Sequence, residues 1–321
     1  MTEPICRVFL VGLGRTGMLG LEGASTFLNQ GTHLGYILSD SRLELVGVWD
    51  NSENARSIFK ETITGQLAVN DDLASVEAEC FVIATPEQTH LSIIRCIAKN
   101  KRVKVILCEK PLGHSANDAT EIEKILLKNA ISCVVNYPRS HSIKRIPFYN
   151  DLSQQLNGSY PALISATIAD SSKSALPHLF NLLLTLNSNF IDSRLYGLGN
   201  HFKTNLKIVM GKLEEIDIDF KFIEFHKREI ADISILTSGN SYSLTYGFSS
   251  ISLGDSTKKF GWGSTDILQE SRLSLINESM KDIYDKAYDI AMRNRLDLSD
   301  VVKSRHTHTL VSDCRTILDE S

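Results

Sequence analysis

At 321 residues, with 42% hydrophobic and 22% charged side chains, the chain has the length for two ordinary domains and the composition of a soluble globular protein. A formal net charge of -4 gives no electrostatic basis for binding nucleic acid or an anionic membrane, and no stretch approaches the ~20 apolar residues a membrane helix needs. The first residues lack a basic segment followed by an apolar run, and the six cysteines are scattered without a C-x-x-C pair, so the expectation is a reduced, cytoplasmic protein without a structural metal.

Residues 5–11 form a short continuous apolar run, the pattern of a strand buried on both faces of a parallel sheet. The run ends in Gly12, Gly14 and Gly17 at G-x-G-x-x-G spacing, with Arg15 and Thr16 between them. Glycine permits the tight turn, lets a pyrophosphate approach the backbone, and allows the following segment to pack closely. A second apolar run, 43–49, ends in Asp50, where a carboxylate can accept hydrogen bonds from the adenosine ribose and repel a 2′-phosphate. That points to NAD, while Arg15 and Arg56 leave NADP open. The interval from Gly12 to Asp50 is longer than the usual fingerprint, and a plain turn with a surface Asp is the competing reading.

A strand over 80–84 then ends in Thr85-Pro86, with His90 shortly after on a helix over 88–99. A strand over 103–108 ends in Glu109-Lys110-Pro111. This pair reads either as a surface ion pair or as an ammonium set in a cleft at a strand end. A helix over 115–129 carries Ile122, Ile125 and Leu126 at helical spacing, with Ser115 as its N-cap. The strand over 131–135 is followed by Asn136 and Arg139, which read as substrate ligands or as loop caps. Strand and helix in alternation predict a doubly wound, Rossmann-type parallel sheet over residues 1–137.

Past residue 137 the rhythm changes. Apolar and polar residues alternate over 162–167, 215–225, 230–236 and 242–248, several of them without an intervening helix, so antiparallel pairing is expected. An apolar helix is expected over 175–186, and further helices over 277–292 and, with Ser299 as N-cap, to about 318. The fold class is therefore α/β: an N-terminal Rossmann domain and, over 138–321, an α+β domain built on an open, mostly antiparallel sheet. His306 and His308 stand two apart, which on a helix points the rings away from each other, so no metal site is expected there.

The order of G-x-G-x-x-G, strand-ending Asp50, Thr85-Pro86 with His90, and Glu109-Lys110-Pro111 resembles the glucose–fructose oxidoreductase / inositol dehydrogenase (Gfo/Idh/MocA) family over roughly residues 5–140. "THLGYILSDSRLELVGVWD" and "VVNYPRSH" are similar to the branch found with surface-polysaccharide and sugar-nucleotide genes. The resemblance implies NAD or NADP held by Gly12, Gly14, Arg15, Thr16, Gly17, Asp50, Thr85, Pro86, His90, Glu109 and Lys110. It implies catalysis by Lys110 with His178 as acid/base partner, and a sugar or sugar-nucleotide substrate touched by Asn136, Arg139, Ser174, His178 and Asn181. A homodimer or homotetramer, formed through the open sheet, is implied as well. One departure stands out: Ser174 occupies the position of the family's Asp, and Asn181 that of a second acid, which removes a carboxylate that would orient His178. An NAD(P) binder with a regulatory role and impaired catalysis is the alternative that this departure raises. His178 also reads as an ordinary helix histidine, and His90 as a support for its turn.

Overall fold

The computed structural model of the chain describes residues 3–20, 31–63, 68–69, 72–157, 163–169, 176–186, 194–200, 203–210, 214–222, 230–236, 240–245, 250–255, 267–272 and 277–319. Short apolar runs become strands wherever a sheet can bury them on both faces. These are β1 (Cys6–Val11), β2 (Leu43–Trp49), β3 (Ala68–Val69), β4 (Cys80–Ile83), β5 (Val105–Glu109) and β6 (Ser132–Asn136). They pair in parallel in the order β3-β2-β1-β4-β5-β6, with β4, β5 and β6 buried along their whole length.

Helices cover both faces. On one side α1 (His33–Ser39) and α2 (Glu53–Thr62) pack with Leu10, Val82 and Val105 of the sheet. On the other, α3 (Glu87–Ile97) and α4 (Ala116–Asn129) bring Ile94, Ile97, Ile122 and Leu126 against Phe9, Phe81 and Ile106. Local chemistry starts the helices: Thr32, Ser52 and Ser115 each accept a backbone N–H from three residues on, at 3.1, 3.3 and 3.1 Å. The N-cap expected at Ser115 is therefore present.

The first face needs a third helix. In chain order the second sheet and its helices intervene, and α8 (Asn277–Arg293) then returns to the Rossmann sheet, placing Met280, Ile283, Tyr284, Ala287 and Ile290 in the core with Leu10 and Val82. Each large side chain so buried is worth about 1.5–3 kcal/mol. Arg42 fastens the helix from outside: its guanidinium bonds Asp40 and Asp285, each at 2.6 Å, and lies 4.9 Å from the Tyr288 ring centroid. One compact unit thus comprises Met1–Pro138 with Ile276–Arg305, and the other Arg139–Leu275 with His306–Ser321. This amends a simple division at residue 137. The returning segment is amphipathic, and its periodicity specifies a helix without specifying which sheet it covers.

In the second unit, β7 (Leu163–Ala169), β8 (Arg194–Asn200), β9 (Lys203–Met210), β10 (Glu214–Phe222), β11 (Ile230–Leu236), β12 (Asn240–Thr245), β13 (Ser250–Asp255) and β14 (Ile267–Arg272) form one sheet. Its order is β14-β13-β12-β11-β7-β10-β9-β8, antiparallel throughout except for the parallel β7–β10 pair. The short helix α5 (Pro138–Ser142) lies at the boundary between units, followed by α6 (Tyr149–Asn157) and the apolar α7 (Leu176–Leu186). Tyr149 and Ser153 hydroxyls of α6 donate to the Thr185 and Leu186 carbonyls of α7, at 3.1 and 2.9 Å. The last helix, α9 (Ser299–Asp319), begins differently from expectation. Ser299 is its first residue, and Asp297 Oδ1 accepts both the Ser299 N–H (2.9 Å) and its hydroxyl (2.7 Å).

All six cysteines are free thiols, five of them buried and Cys96 exposed. Burial pushes the Cys6 thiol up to about 12, and those of Cys80, Cys108 and Cys133 up as well, which makes them inert core residues. Among the described residues no helix is long and apolar enough to cross a membrane, and no cluster of three His, Cys, Asp or Glu is arranged for a metal.

Candidate active site

A doubly wound sheet leaves a crevice where its strand order reverses, here outside the carboxyl ends of β1 and β4. The glycine turn and the Thr85-Pro86 turn follow those two strands. Gly12 has φ +100, and a Cβ there would lie 2.6 Å from the Ala84 carbonyl oxygen, so only glycine fits beside β4. Gly17 is needed for a different reason: its Cβ would meet the Gly12 oxygen at 2.1 Å. At Gly14 an added Cβ would have no atom within 4 Å among the described residues, and Gly14, Arg15 and Thr16 are exposed. The turn closes through Arg15–Leu19, a single π turn in which Leu19 N–H reaches the Gly14 oxygen at 3.0 Å. An open backbone approach flanked by two sterically obligatory glycines fits a dinucleotide pyrophosphate.

Asp50, half-buried at the end of β2, ties this turn to its neighbour. Oδ2 accepts the Leu13 N–H at 2.7 Å and Oδ1 the Ser52 N–H at 2.8 Å. Each oxygen keeps a further lone pair for a ribose hydroxyl. Arg56 donates to the Asp50 carbonyl at 2.6 Å, which commits it to the strand end.

His90 is fully enclosed at 0% exposure, and its ring spans two loops. Nε2 lies 2.8 Å from the Thr85 carbonyl and Nδ1 3.1 Å from that of Pro111. The ring thus joins the turn after β4 to the Lys110-Pro111 loop. The Lys110-Pro111 peptide bond is cis.

At the end of β5 the structure gathers a buried polar cluster. Glu109 Oε1 sits 2.9 Å from His33 Nε2 and accepts a 2.7 Å bond from Asn136 Nδ2 at the end of β6. Burial alone would push this carboxyl up. The hydrogen bond and charge of His33, the bond from Asn136 and the nearby Lys110 ammonium together hold it below the usual carboxylate range. Lys110 is half-buried, and its ammonium makes no hydrogen bond or ion pair among the described residues. Asn136 is 5% exposed; its Nδ2 is committed to Glu109, while Oδ1 is buried without a partner among the described residues. Tyr137, at 2% exposure, has its phenol pushed up by burial, which removes it as a proton acceptor.

The remaining expected residues belong to the second unit. His178 is half-buried on α7 and Arg139 half-buried on α5; Ser174 lies outside the described residues. Asn181 is 2% exposed and donates to Thr307 Oγ1 of α9 at 3.2 Å, so it joins two helices.

Sequence reasoning missed His33 and Tyr284. A lone histidine opening the apolar run "HLGYIL" was the available signal, because a buried imidazole needs polar partners. Those partners stand 76 and 251 residues away.

A cavity of about 470 Å³ lies at the opposite, amino end of the parallel sheet, lined by Arg7, Glu77, Lys101, Arg102, Lys104 and Arg295. Residues that follow the C-termini of α4 and α8 also line it, and the cations offset the negative ends of those helices. Glu77 pairs there with Arg7 at 3.3 Å and with Arg102 at 2.9 Å.

Comparison with known proteins agrees with this geometry. Residues 7–137 match the model of the Gfo/Idh/MocA oxidoreductase family, NAD-binding Rossmann fold. No curated protein matches the chain in sequence. Among solved structures, the WlbA dehydrogenase from Bordetella pertussis, in complex with NADH and UDP-GlcNAcA, superposes with a TM-score of 0.68 at 15% identity, covering 100% of this chain and 98% of that one. KijD10, a 3-ketoreductase from Actinomadura kijaniata solved with TDP-benzene and NADP, gives 0.67 at 12% identity, with 98% of each chain covered. A super-repressor mutant of Gal80p from Saccharomyces cerevisiae gives 0.72 at 14% identity, with 99% and 97% covered. The family match over residues 7–137 takes in the glycine turn, Asp50 and the Glu109-Lys110-Pro111 end of β5 together, so this part of the chain is similar to the NAD-binding Rossmann domain of the Gfo/Idh/MocA oxidoreductases.

Proposed function

We propose that the protein is an NAD(P)-dependent dehydrogenase or reductase acting on a secondary alcohol or ketone of a sugar or sugar nucleotide, with a place in surface-polysaccharide biosynthesis. One observation carries this reading: a half-buried Lys110 ammonium without a protein partner among the described residues, at the carboxyl end of β5 beside a fixed carboxylate. Gly12, Gly14, Gly17 and Asp50 would hold the dinucleotide, whose nicotinamide, when bound, supplies hydride transfer. As an ammonium, Lys110 donates a hydrogen bond to a ketone oxygen and polarises it; in the reverse direction its neutral amine takes the proton of the alcohol and becomes that ammonium. His178 is the partner acid/base, and Arg139 binds a hydroxyl or phosphate of the substrate. The sugar-nucleotide class draws support from WlbA and KijD10, and the NAD preference from Asp50. Self-association of the second unit's sheet is part of the same reading, and gel filtration at monomer size would contradict it.

A screen of UDP-sugars, TDP-sugars and free polyols, read by nicotinamide absorbance, tests the reaction. Turnover that falls about 10²–10⁴-fold in Lys110→Met, with NADH affinity preserved, supports the role given to Lys110. Unchanged turnover in that variant refutes it. A second reading, dinucleotide binding without turnover, has one observation in its favour: Asn181, at the position of a family acid, is spent on Thr307. Tight NADH binding with no turnover across the screen would select it.

A further inference from the structure

The buried cluster behind Lys110 has a direction built into it. Glu109 takes both of its protein hydrogen bonds on one oxygen, Oε1, from His33 on α1 and Asn136 on β6, while Oε2 accepts none among the described residues. A carboxylate clamped on one oxygen from two elements cannot rotate, so the lone pairs of Oε2 keep a fixed aim. The clamp is itself braced. His33 is 0% exposed, its Nδ1 lies 3.0 Å from the Tyr284 hydroxyl of α8, and the two rings meet edge to face at 5.9 Å. Tyr284 in turn stacks on Tyr36 of α1, with centroids 4.6 Å apart and planes at 17°. Because a carboxylate only accepts, His33 Nε2 carries the proton shared with Glu109, and the Tyr284 hydroxyl completes the bonding of Nδ1. Three elements distant in sequence are thus spent on orienting one side chain that is 12% exposed.

We propose that His33, braced by Tyr284, is a positioning residue for this site: it clamps Glu109 through Oε1 and presents Oε2 to a hydroxyl or amide donor on the nicotinamide-ribose end of the dinucleotide. The proposal rests on reading the carboxyl end of β5 as that end of the cleft. It assigns Glu109 the ligand contact and His33 an action through Glu109. The titratable groups facing the carboxylate are His33 from α1, Cys108 and Lys110 from its own segment, and Tyr284 from α8. Burial pushes the Cys108 thiol and the Tyr284 phenol up, so neither adds negative charge at neutral pH.

Two measurements on the full chain test this across His33→Leu, His33→Gln, Tyr284→Phe and Glu109→Gln. The first is the infrared carbonyl stretch of a protonated buried carboxyl on the protein alone, assigned by its loss in Glu109→Gln. The second is NADH affinity against pH, read by nicotinamide fluorescence. His33→Leu, which removes the donor, is expected to show the carboxyl band at neutral pH and to bind NADH about tenfold more weakly, with recovery in mild alkali. Glutamine carries its amide nitrogen near the place of Nε2, so His33→Gln is expected to lack the band and to bind within about threefold of wild type. Tyr284→Phe, which keeps the ring stack, is expected to weaken NADH about threefold. A folded His33→Leu protein without the band and with wild-type affinity overturns the proposal. So does equal, pH-independent weakening in the leucine and glutamine variants, the mark of a merely structural histidine. If His33→Leu does not fold, an unchanged Tyr284→Phe or a His33→Gln that fails to bind has the same force. Wild-type protein that binds no NADH overturns the reading of the cleft instead, and the infrared arm still tests the clamp.

Discussion

Replacing each glycine of the turn by alanine separates folding from cofactor binding, because the three positions differ in what a methyl group would meet. At Gly14 the backbone has φ -75 and ψ -155, an extended conformation open to any residue, and no atom lies within 4 Å of the added carbon. The substitution restricts the unfolded chain at no steric cost, which stabilises by about 0.4–1 kcal/mol, or about 1–3 °C in Tm for a unit of this size. The same methyl occupies the open approach to the turn, and a pyrophosphate held off the backbone N–H groups should bind at least about tenfold more weakly, ~1.4 kcal/mol. Gly17→Ala drives a carbon to 2.1 Å from the Gly12 oxygen, and Gly12→Ala combines φ +100 with a 2.6 Å approach to the Ala84 oxygen. Both involve backbone that cannot step aside, and each is expected to cost about 2–4 kcal/mol of stability. Scanning calorimetry without ligand, together with NADH titration by fluorescence, reads the two effects separately. A Gly14→Ala protein that binds NADH like wild type would show that the open face of the turn does not receive the pyrophosphate.

Three further outcomes are expected. Since the Glu109 carboxyl is depressed in the folded state, its stabilisation is full above its unfolded value of about 4.3 and is lost as pH falls through the lower folded value. The Tm gap between wild type and Glu109→Gln should therefore close in that acid window, and parallel Tm curves from neutral pH through it would contradict the assignment. Arg42→Met removes two carboxylate bonds and a ring contact and should cost about 1–2 kcal/mol in urea unfolding. Adding Asp285→Asn to it should cost less than the sum of the two single changes, because the groups share one bond. Asp50→Ala leaves the Leu13 N–H without its acceptor and deletes the carboxylate that favours a free ribose hydroxyl. The preference for NADH over NADPH should shrink in parallel titrations, and an unchanged ratio would assign the preference elsewhere.

The Rossmann sheet was legible because β1, β4, β5 and β6 are buried on both faces, so their sequences are short uninterrupted apolar runs whose ends carry the polar residues. The glycine turn was legible for a related reason: the close approach of β4 to Gly12 leaves one residue type possible. The return of α8 was not, since an amphipathic stripe states that a face is buried without stating against what. Nor were the partners of Asn136 and Asn181, which read as cleft ligands in sequence and donate to Glu109 and Thr307 in the fold. A polar side chain near a strand end is equally suited to binding a ligand and to holding the residue that does, and partners remote in sequence decide between them.

The return of α8 also bears on how the protein is made. Synthesis proceeds from the N-terminus, so β1 to β6 leave the ribosome with one face of their sheet covered by α1 and α2 but still without its third helix. Residues 139–275 must then be translated before Ile283, Tyr284 and Ile290 exist to cover it. During that delay the core around Leu10 and Val82 lacks the side chains of α8, among them the tyrosine that braces His33. The intervening segment acts as a long loop whose closure cost falls if it folds first, which makes its own folding a step toward the completed dinucleotide site. Translation order thus withholds a finished cofactor site until most of the second unit has been synthesised.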